Sequence, residues 1–174
     1  MRKIGLLIIT VVFVAGFAAG FAAAKGKGVD ASTYTGVSAK DASKALLDVA
    51  AGQTGGGSWE TIGVGRVLYL SGDKVGGQAY FDKATASKAK KDDWMRVARV
   101  YYEAGEWDKA EPIFQKVLSL DPKDEQNLAE IGACYNLHGD RAKAEELFGR
   151  SFAVSSNVWC TLNAAGSYVG LKPQ

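Results

Sequence analysis

The sequence is poor in the residues that build catalytic and metal sites, with one histidine and two cysteines among 174 residues. A catalytic triad or a histidine metal site needs partners at fixed spacing, and the sequence around His138 offers none. The HExxH zinc motif, the phosphate-binding Walker loop and the GxSxG nucleophile elbow are also missing. We therefore predict that the chain is not an enzyme and that it needs neither a cofactor nor a metal ion.

An excess of charge is missing as well. The formal net charge of +2 is carried by Arg2 and Lys3, and acidic and basic side chains balance over the rest of the chain. Positive and negative residues alternate along the sequence and do not form the basic stripe that a nucleic-acid-binding surface requires. We therefore expect no nucleic-acid partner.

A long apolar run occurs only at the start of the chain. Residues 4–23 are uncharged and lead to Ala22 and Ala24, which have the spacing of a signal-peptidase site. We predict that residues 1–24 are a secretory signal peptide and that the rest is exported to the periplasm, with a eukaryotic lumen as the other compartment to consider. The alternative is an uncleaved inner-membrane anchor, because about 20 apolar residues can span a bilayer. Membrane contact is expected only in that case.

Residues 25–57 form a short segment before the main domain. Glycine, lysine, serine and threonine dominate residues 25–36, which predicts a flexible leader. Ser38 and Asp41 have the spacing of a helix N-cap pair, and a glycine-rich linker follows at residues 53–57. The helix between them is indicated by an apolar stripe at Ala42, Leu46, Val49 and Ala50.

Residues 58–174 contain an internal repeat. Four kinds of position recur at intervals of 33 and 34 residues, which fixes the length of the repeating unit. These positions are Gly72, Gly105 and Gly139; Phe81, Phe114 and Phe148; Gly77, Ala110 and Ala144; and Leu68, Tyr101 and Tyr135. A unit of this size cannot bury its apolar faces alone, so its copies must stack.

The clearest unit spans residues 91–124. Its first helix is indicated by Trp94, Val97, Ala98 and Tyr101, and its second by Ala110, Phe114 and Val117, with Gly105 between them and Pro122 at the end. This pattern resembles the tetratricopeptide repeat, which reads W-x2-L-G-x2-Y, then A-x3-F, then P.

The neighbouring units match less completely. Residues 125–158 resemble the repeat with Ser156 in place of the proline, and residues 58–90 lack both the tryptophan and the proline. Residues 159–170 resemble the first helix of a fourth repeat. The resemblance implies an all-α fold, a right-handed α-α superhelix of about three helix pairs over residues 58–174, with a leading helix and a C-terminal half-repeat helix.

The resemblance also implies a protein-binding scaffold or adaptor. In this family the first helices line a concave groove that holds a partner peptide or protein, contacted by residues one helical step off the core stripe. The groove candidates are Trp59, Arg66, Tyr69, Met95, Arg99, Tyr102 and Asn136. The alternative is that these arginine and tyrosine side chains only shield a curved helical surface. We expect the partner within an envelope or secretion assembly.

The last predicted helix, residues 157–169, carries more apolar side chains than one neighbouring repeat can cover. The repeat register turns Leu162, Ala165 and Gly166 inward, yet Trp159 and its apolar neighbours remain. Such a patch is typical of an interface, so Trp159 joins the partner-binding candidates. This helix could also join copies of the chain, which would make it a self-associating structural subunit of an envelope complex. The alternative is a C-terminal tail that folds over Trp159.

The two cysteines lie in the first helices of successive repeats. Cys134 and Cys160 differ by eight residues in their position within the repeat, about 12 Å along a helix. A disulfide needs a Cα separation of about 4.4–6.8 Å. We therefore expect a reduced, buried thiol at Cys134, and a disulfide only if the helices tilt favourably.

We predict that the mature chain begins at or near Lys25, because Ala22 and Ala24 suit a signal peptidase. N-terminal sequencing of the protein exported by its own cells checks this. A sequence that still begins at Met1 would show that the segment is retained as an anchor.

Overall fold

The computed structural model of the chain describes residues 28–86, 88–155 and 157–173. Regular structure within these ranges is entirely helical, which confirms the predicted all-α class. After a 3-10 turn at Ala31–Thr33, the α-helices are α1 (Ala39–Gln53), α2 (Ser58–Leu70), α3 (Lys74–Thr85), α4 (Lys91–Glu103), α5 (Trp107–Leu120), α6 (Glu125–His138), α7 (Arg141–Val154) and α8 (Val158–Ser167). None of these described helices is long and apolar enough to cross a membrane. The predicted signal peptide, residues 1–24, lies outside the described residues.

Helices α2 to α7 form three pairs, α2 with α3, α4 with α5 and α6 with α7, and the pairs stack largely through their first helices. Each pair turns at a glycine in the left-handed region, with φ of +106° at Gly72, +75° at Gly105 and +105° at Gly139. A side chain is strained in this conformation, which explains the recurring glycine. The predicted stack of three helix pairs is confirmed.

Each pair is held together where a small residue in the first helix meets a phenylalanine in the second. A Cβ built on Gly65 would lie 2.7 Å from the Phe81 ring, and one built on Gly132 would lie 2.7 Å from the Phe148 ring. Carbon atoms in contact prefer about 3.5–4.0 Å, so glycine allows the two backbones to approach this closely. In the middle pair the small residue is Ala98, which is fully buried.

The leading helix α1 is only partly packed. It follows the predicted cap Ser38, whose side chain accepts a hydrogen bond from the Asp41 N–H. It packs on α2 but buries none of its own residues. Where we expected only a flexible leader, Ala31–Thr33 form a helical turn capped by Asp30. The domain boundary between residues 57 and 58 stays a prediction.

The register predicted for α8 was wrong. The residues buried along α8, which packs mainly on α6, are Cys160, Ala164 and Ser167, whereas Leu162 is 54% exposed and Ala165 is also exposed. The reason is that α8 has a first helix beside it, while no second helix among the described residues covers its other face.

The alternative in which the C-terminal tail folds over Trp159 was also wrong. Trp159 is 62% exposed, and so is Leu171. Residues 172 and 173 line a groove formed by the first helices instead. The aromatic surface of α8 therefore stays open in the single chain.

We expect Gly132→Ala to lower the melting temperature, because the new methyl group would collide with the Phe148 ring. Overpacking of this kind costs about 1–3 kcal/mol. Gly149→Ala is the matched control, since Gly149 is exposed on α7 and its added Cβ would meet nothing within 4 Å. There the higher helix propensity of alanine should stabilise the fold by up to about 1 kcal/mol. Thermal and urea unfolding measure both effects, and stabilisation by both variants would contradict the close contact at Gly132.

Candidate partner-binding groove

The first helices α2, α4 and α6 enclose a groove of about 480 Å³. Four of the predicted groove residues line it, namely Trp59, Arg66, Arg99 and Tyr102. The other lining residues are Ile62, Gly63, Arg96, Val100, Glu103, Glu130, Cys134, Lys172 and Pro173. Because the last two follow α8, the C-terminal tail forms part of the groove wall.

Two arginines of the groove pair with glutamates on the next first helix. Arg66 donates to Glu103 through Nε at 3.0 Å and through Nη2 at 2.5 and 2.7 Å. Arg99 donates to Glu130 through Nε and Nη2, both at 2.5 Å. These pairs bridge α2 to α4 and α4 to α6, so they tie successive first helices together. The two glutamates occupy different positions in the repeat, and the repeat pattern therefore does not indicate them.

The two ion pairs differ in burial. The side chains of Arg66 and Glu103 are 49% and 41% exposed, whereas that of Glu130 is 8% exposed. An exposed pair contributes about 0–1 kcal/mol. Hydrogen bonds from Glu130 raise the pKa of the Arg99 guanidinium and keep it charged. Loss of Arg99 would leave a buried carboxylate without its partner, which is the more costly change.

Arg96 is a groove cation that the sequence pattern did not indicate. Its guanidinium carbon lies 3.6 Å from the centroid of the Trp59 ring, a cation–π contact. Its Nε is shielded from solvent and has no hydrogen-bond acceptor among the described residues. The charged side chains of the lining are Arg66, Arg96, Arg99 and Lys172 against Glu103 and Glu130. The groove therefore has an excess of positive charge.

Tyr102 is half-buried in the groove wall. Its ring centroid lies 6.2 Å from that of Trp107 and 6.3 Å from that of Phe114, and Lys172 Nζ lies 5.8 Å above it. Burial raises the pKa of the Tyr102 hydroxyl to about 12. The hydroxyl is therefore protonated at neutral pH and can donate a hydrogen bond to a bound group.

Tyr69 and Met95 were wrongly predicted to face the groove, since each is 2% exposed. Tyr69 packs between Phe81 and Tyr101, with ring centroids 5.5 and 5.4 Å away. Met95 belongs to the same buried cluster. The first helices lie side by side, so part of the face one helical step off the core stripe is covered before it reaches the groove.

Asn136 and Trp159 are absent from this lining. Asn136 Nδ2 donates to Ser167 Oγ at 2.9 Å, so it connects α6 to α8. Trp159 lies exposed on α8 itself. A role of these two residues in partner binding stays a prediction, as it does for the groove residues.

The side chains best suited to chemistry are used in packing. His138 stacks on Trp107 with 4.0 Å between ring centroids. Cys134 and Cys160 are free, buried thiols, as expected for Cys134. Burial raises the pKa of both thiols, which makes them poor nucleophiles at neutral pH. Within the described part of the chain, no group of three or more His, Cys, Asp or Glu side chains is placed to hold a metal ion.

Glu106 fixes the buried Tyr69 from the turn before α5. The Tyr69 hydroxyl donates to Glu106 Oε2 at 2.5 Å, and Lys109 and Lys74 both form ion pairs with the carboxylate. Hydrogen bonds from Lys109, Lys74 and Tyr69, in that order, lower the pKa of the Glu106 carboxyl to about 2. The first two helix pairs are joined through this carboxylate.

One comparison with known proteins identifies a family. A family model described as tetratricopeptide repeat matches residues 92–124, which include nearly all of α4 and the whole of α5. This segment is almost the same as the unit that follows the repeat pattern most closely in sequence. Comparison with curated proteins finds no significant match.

We expect Glu106→Gln to lower the melting temperature at pH 7, because the amide cannot form the two ion pairs. The folded-state pKa lies below the ordinary value of 4.5, so the stabilisation is fully present above about pH 4.5 and is lost as the pH falls towards 2. The difference in melting temperature between parent and variant should therefore shrink over that range. Glu60→Gln, which removes an exposed carboxylate of α2, is the control. A difference that stays constant with pH would contradict the assigned ion pairs.

Proposed function

Because the chain is a tetratricopeptide-repeat protein, we propose that it holds a partner protein by a peptide segment bound in the groove. Repeats of this family form protein–protein interaction scaffolds, and stacked helix pairs provide the extended concave surface that such scaffolds use. The family is typically non-catalytic, and we propose that this chain has no catalytic activity of its own.

The chemistry of the groove suggests which segment it takes. Arg96 lies against Trp59 and leaves Nε without an acceptor among the described residues, and a buried donor without a partner is costly. A carboxylate of the bound peptide would complete Arg96, and an apolar side chain beside it would cover Trp59. The unpaired Arg96 Nε is the observation that carries this proposal.

The setting of this interaction is also a proposal. The basic head, apolar run and small residues of residues 1–24 support export. We propose that the chain acts in the periplasm as part of an envelope or secretion assembly. An inner-membrane anchor formed by the same residues is the alternative.

A self-associating structural subunit is the second candidate function. The exposed apolar face of α8 favours it, because Val158, Trp159, Leu162 and Val169 are each more than half exposed. The two functions use different surfaces, so one chain could serve both.

The groove proposal predicts a preference for acidic peptides. We would test an array of peptides, each made with a glutamate and with a glutamine at one position beside an aromatic residue. The glutamate version should bind about 10- to 100-fold more tightly, since a hydrogen bond to a charged group contributes about 1.5–3 kcal/mol. Arg96→Met should abolish the difference.

Arg150→Met, on the exposed side of α7, is the matched control and should keep the preference. Circular dichroism would show that both variants fold. If glutamate and glutamine peptides bind the parent equally well, the groove does not recognise a carboxylate through Arg96.

A further inference from the structure

The two ends of the helix stack each carry half of a repeat. Helix α8 occupies the position of a first helix beside α6, and α1 precedes α2 as a second helix precedes the next repeat. Among the described residues α8 has no second helix, and α1 has no first helix. The two half-repeats are therefore complementary in kind.

On α8, the face that a second helix would cover is apolar and open. One repeat earlier, Leu128 and Tyr135 are 0% and 5% exposed beneath α7, whereas their counterparts Leu162 and Val169 are 54% and 74% exposed. The helix contains no charged residue. The residues that follow it turn into the groove and leave this face uncovered.

The same face of α8 contains an empty socket. Gly65 and Gly132, at the equivalent position of α2 and α6, receive the rings of Phe81 and Phe148. At Gly166 a Cβ would meet no aromatic ring, and the nearest atom is the Leu171 Cβ at 3.5 Å. The small residue that admits a second helix is therefore present in α8 without the helix.

Helix α1 carries the matching half of this contact. Every second helix has two consecutive bulky residues at the crossing, and the second of them is the recurring phenylalanine. These pairs are Tyr80-Phe81, Ile113-Phe114 and Leu147-Phe148. Counting back from the next first helix, Leu47 lies 11 residues before Ser58, just as Phe114 lies 11 residues before Glu125. The bulky pair of α1 is therefore Leu46-Leu47.

The exposure of α1 agrees with this assignment. Leu46 is 38% exposed, whereas its counterpart Leu147 is fully buried. Ser43 stands four residues before Leu47, where the other second helices have the small residues Gly77, Ala110 and Ala144. Leu47 contacts the side of α2, as a second helix contacts the following repeat. The face towards a preceding first helix is left open.

We infer that α1 of one copy docks on α8 of another copy, so that a complete repeat forms between two molecules. Leu46 and Leu47 would fill the socket at Gly166, and α2 of the second copy would follow as the next first helix. The two surfaces differ, so the interface is head-to-tail and each added copy exposes the same pair of ends again. Repeat arrays normally end in a helix with a polar outer face, and neither α1 nor α8 provides one.

The test is sedimentation velocity of the chain in the form that its own cells contain, over a range of concentrations. The parent should show a sedimentation coefficient that rises with concentration and passes the value of a dimer. Gly166→Leu, which fills the socket, and Leu46→Glu, which places a charge on α1, should each lose this dependence and sediment as a monomer. Val75→Glu, at an exposed position of α3, is the control and should behave as the parent.

An equimolar mixture of the two end variants tests the direction of the contact. Gly166→Leu keeps an intact α1 and Leu46→Glu keeps an intact α8, so the mixture should form a dimer and nothing larger. Leu162→Glu repeats the α8 test if Gly166→Leu disturbs the circular dichroism spectrum. A parent that stays monomeric, a parent that stops at a dimer, or a mixture that stays monomeric would each overturn the inference.

Discussion

The close crossing of each first helix with its second helix is the constraint on which the rest of the structure depends. At this crossing a glycine or alanine in one helix admits a phenylalanine from the other, as Gly132 admits Phe148. Because the backbones touch, the pair has one fixed arrangement that the next pair repeats. A regular stack follows, and its first helices lie side by side along one face of the molecule.

That side-by-side packing decides what the groove can offer to a partner. It buries Tyr69 and Met95, and it brings each groove arginine within reach of a glutamate on the next helix. The ion pairs tie the first helices together and neutralise part of the charge. The Arg96–Trp59 contact and the tail residue Lys172 then leave a positive, partly apolar groove that is formed before any partner arrives.

The same constraint gives meaning to the two ends of the stack. A crossing needs both a small residue and a bulky pair, and α8 and α1 each contribute one of the two. Copies joined through these ends would repeat the groove once per molecule along one continuous surface. Such an arrangement suits a scaffold that gathers several copies of one partner, because linked sites bind more tightly than single ones.

The sequence by itself determined the helix pairs, their turns and the identity of the repeat. The reason is that these features depend on local spacing: a glycine with positive φ at Gly105, and a small residue that must accept Phe114 in the same unit. The candidates Arg66, Arg99 and Tyr102 could be placed in the groove from their register alone.

Tertiary structure alone decided which side chains remain available. Neighbouring first helices cover Tyr69 and Met95, and the repeat pattern does not show how closely those helices pack. Arg96 and its glutamate-bonded neighbours were likewise separable only by their partners, which come from other helices. At α8 the pattern turned Leu162 inward, but burial needs a covering helix as well as a register, and no second helix in the described chain covers that face.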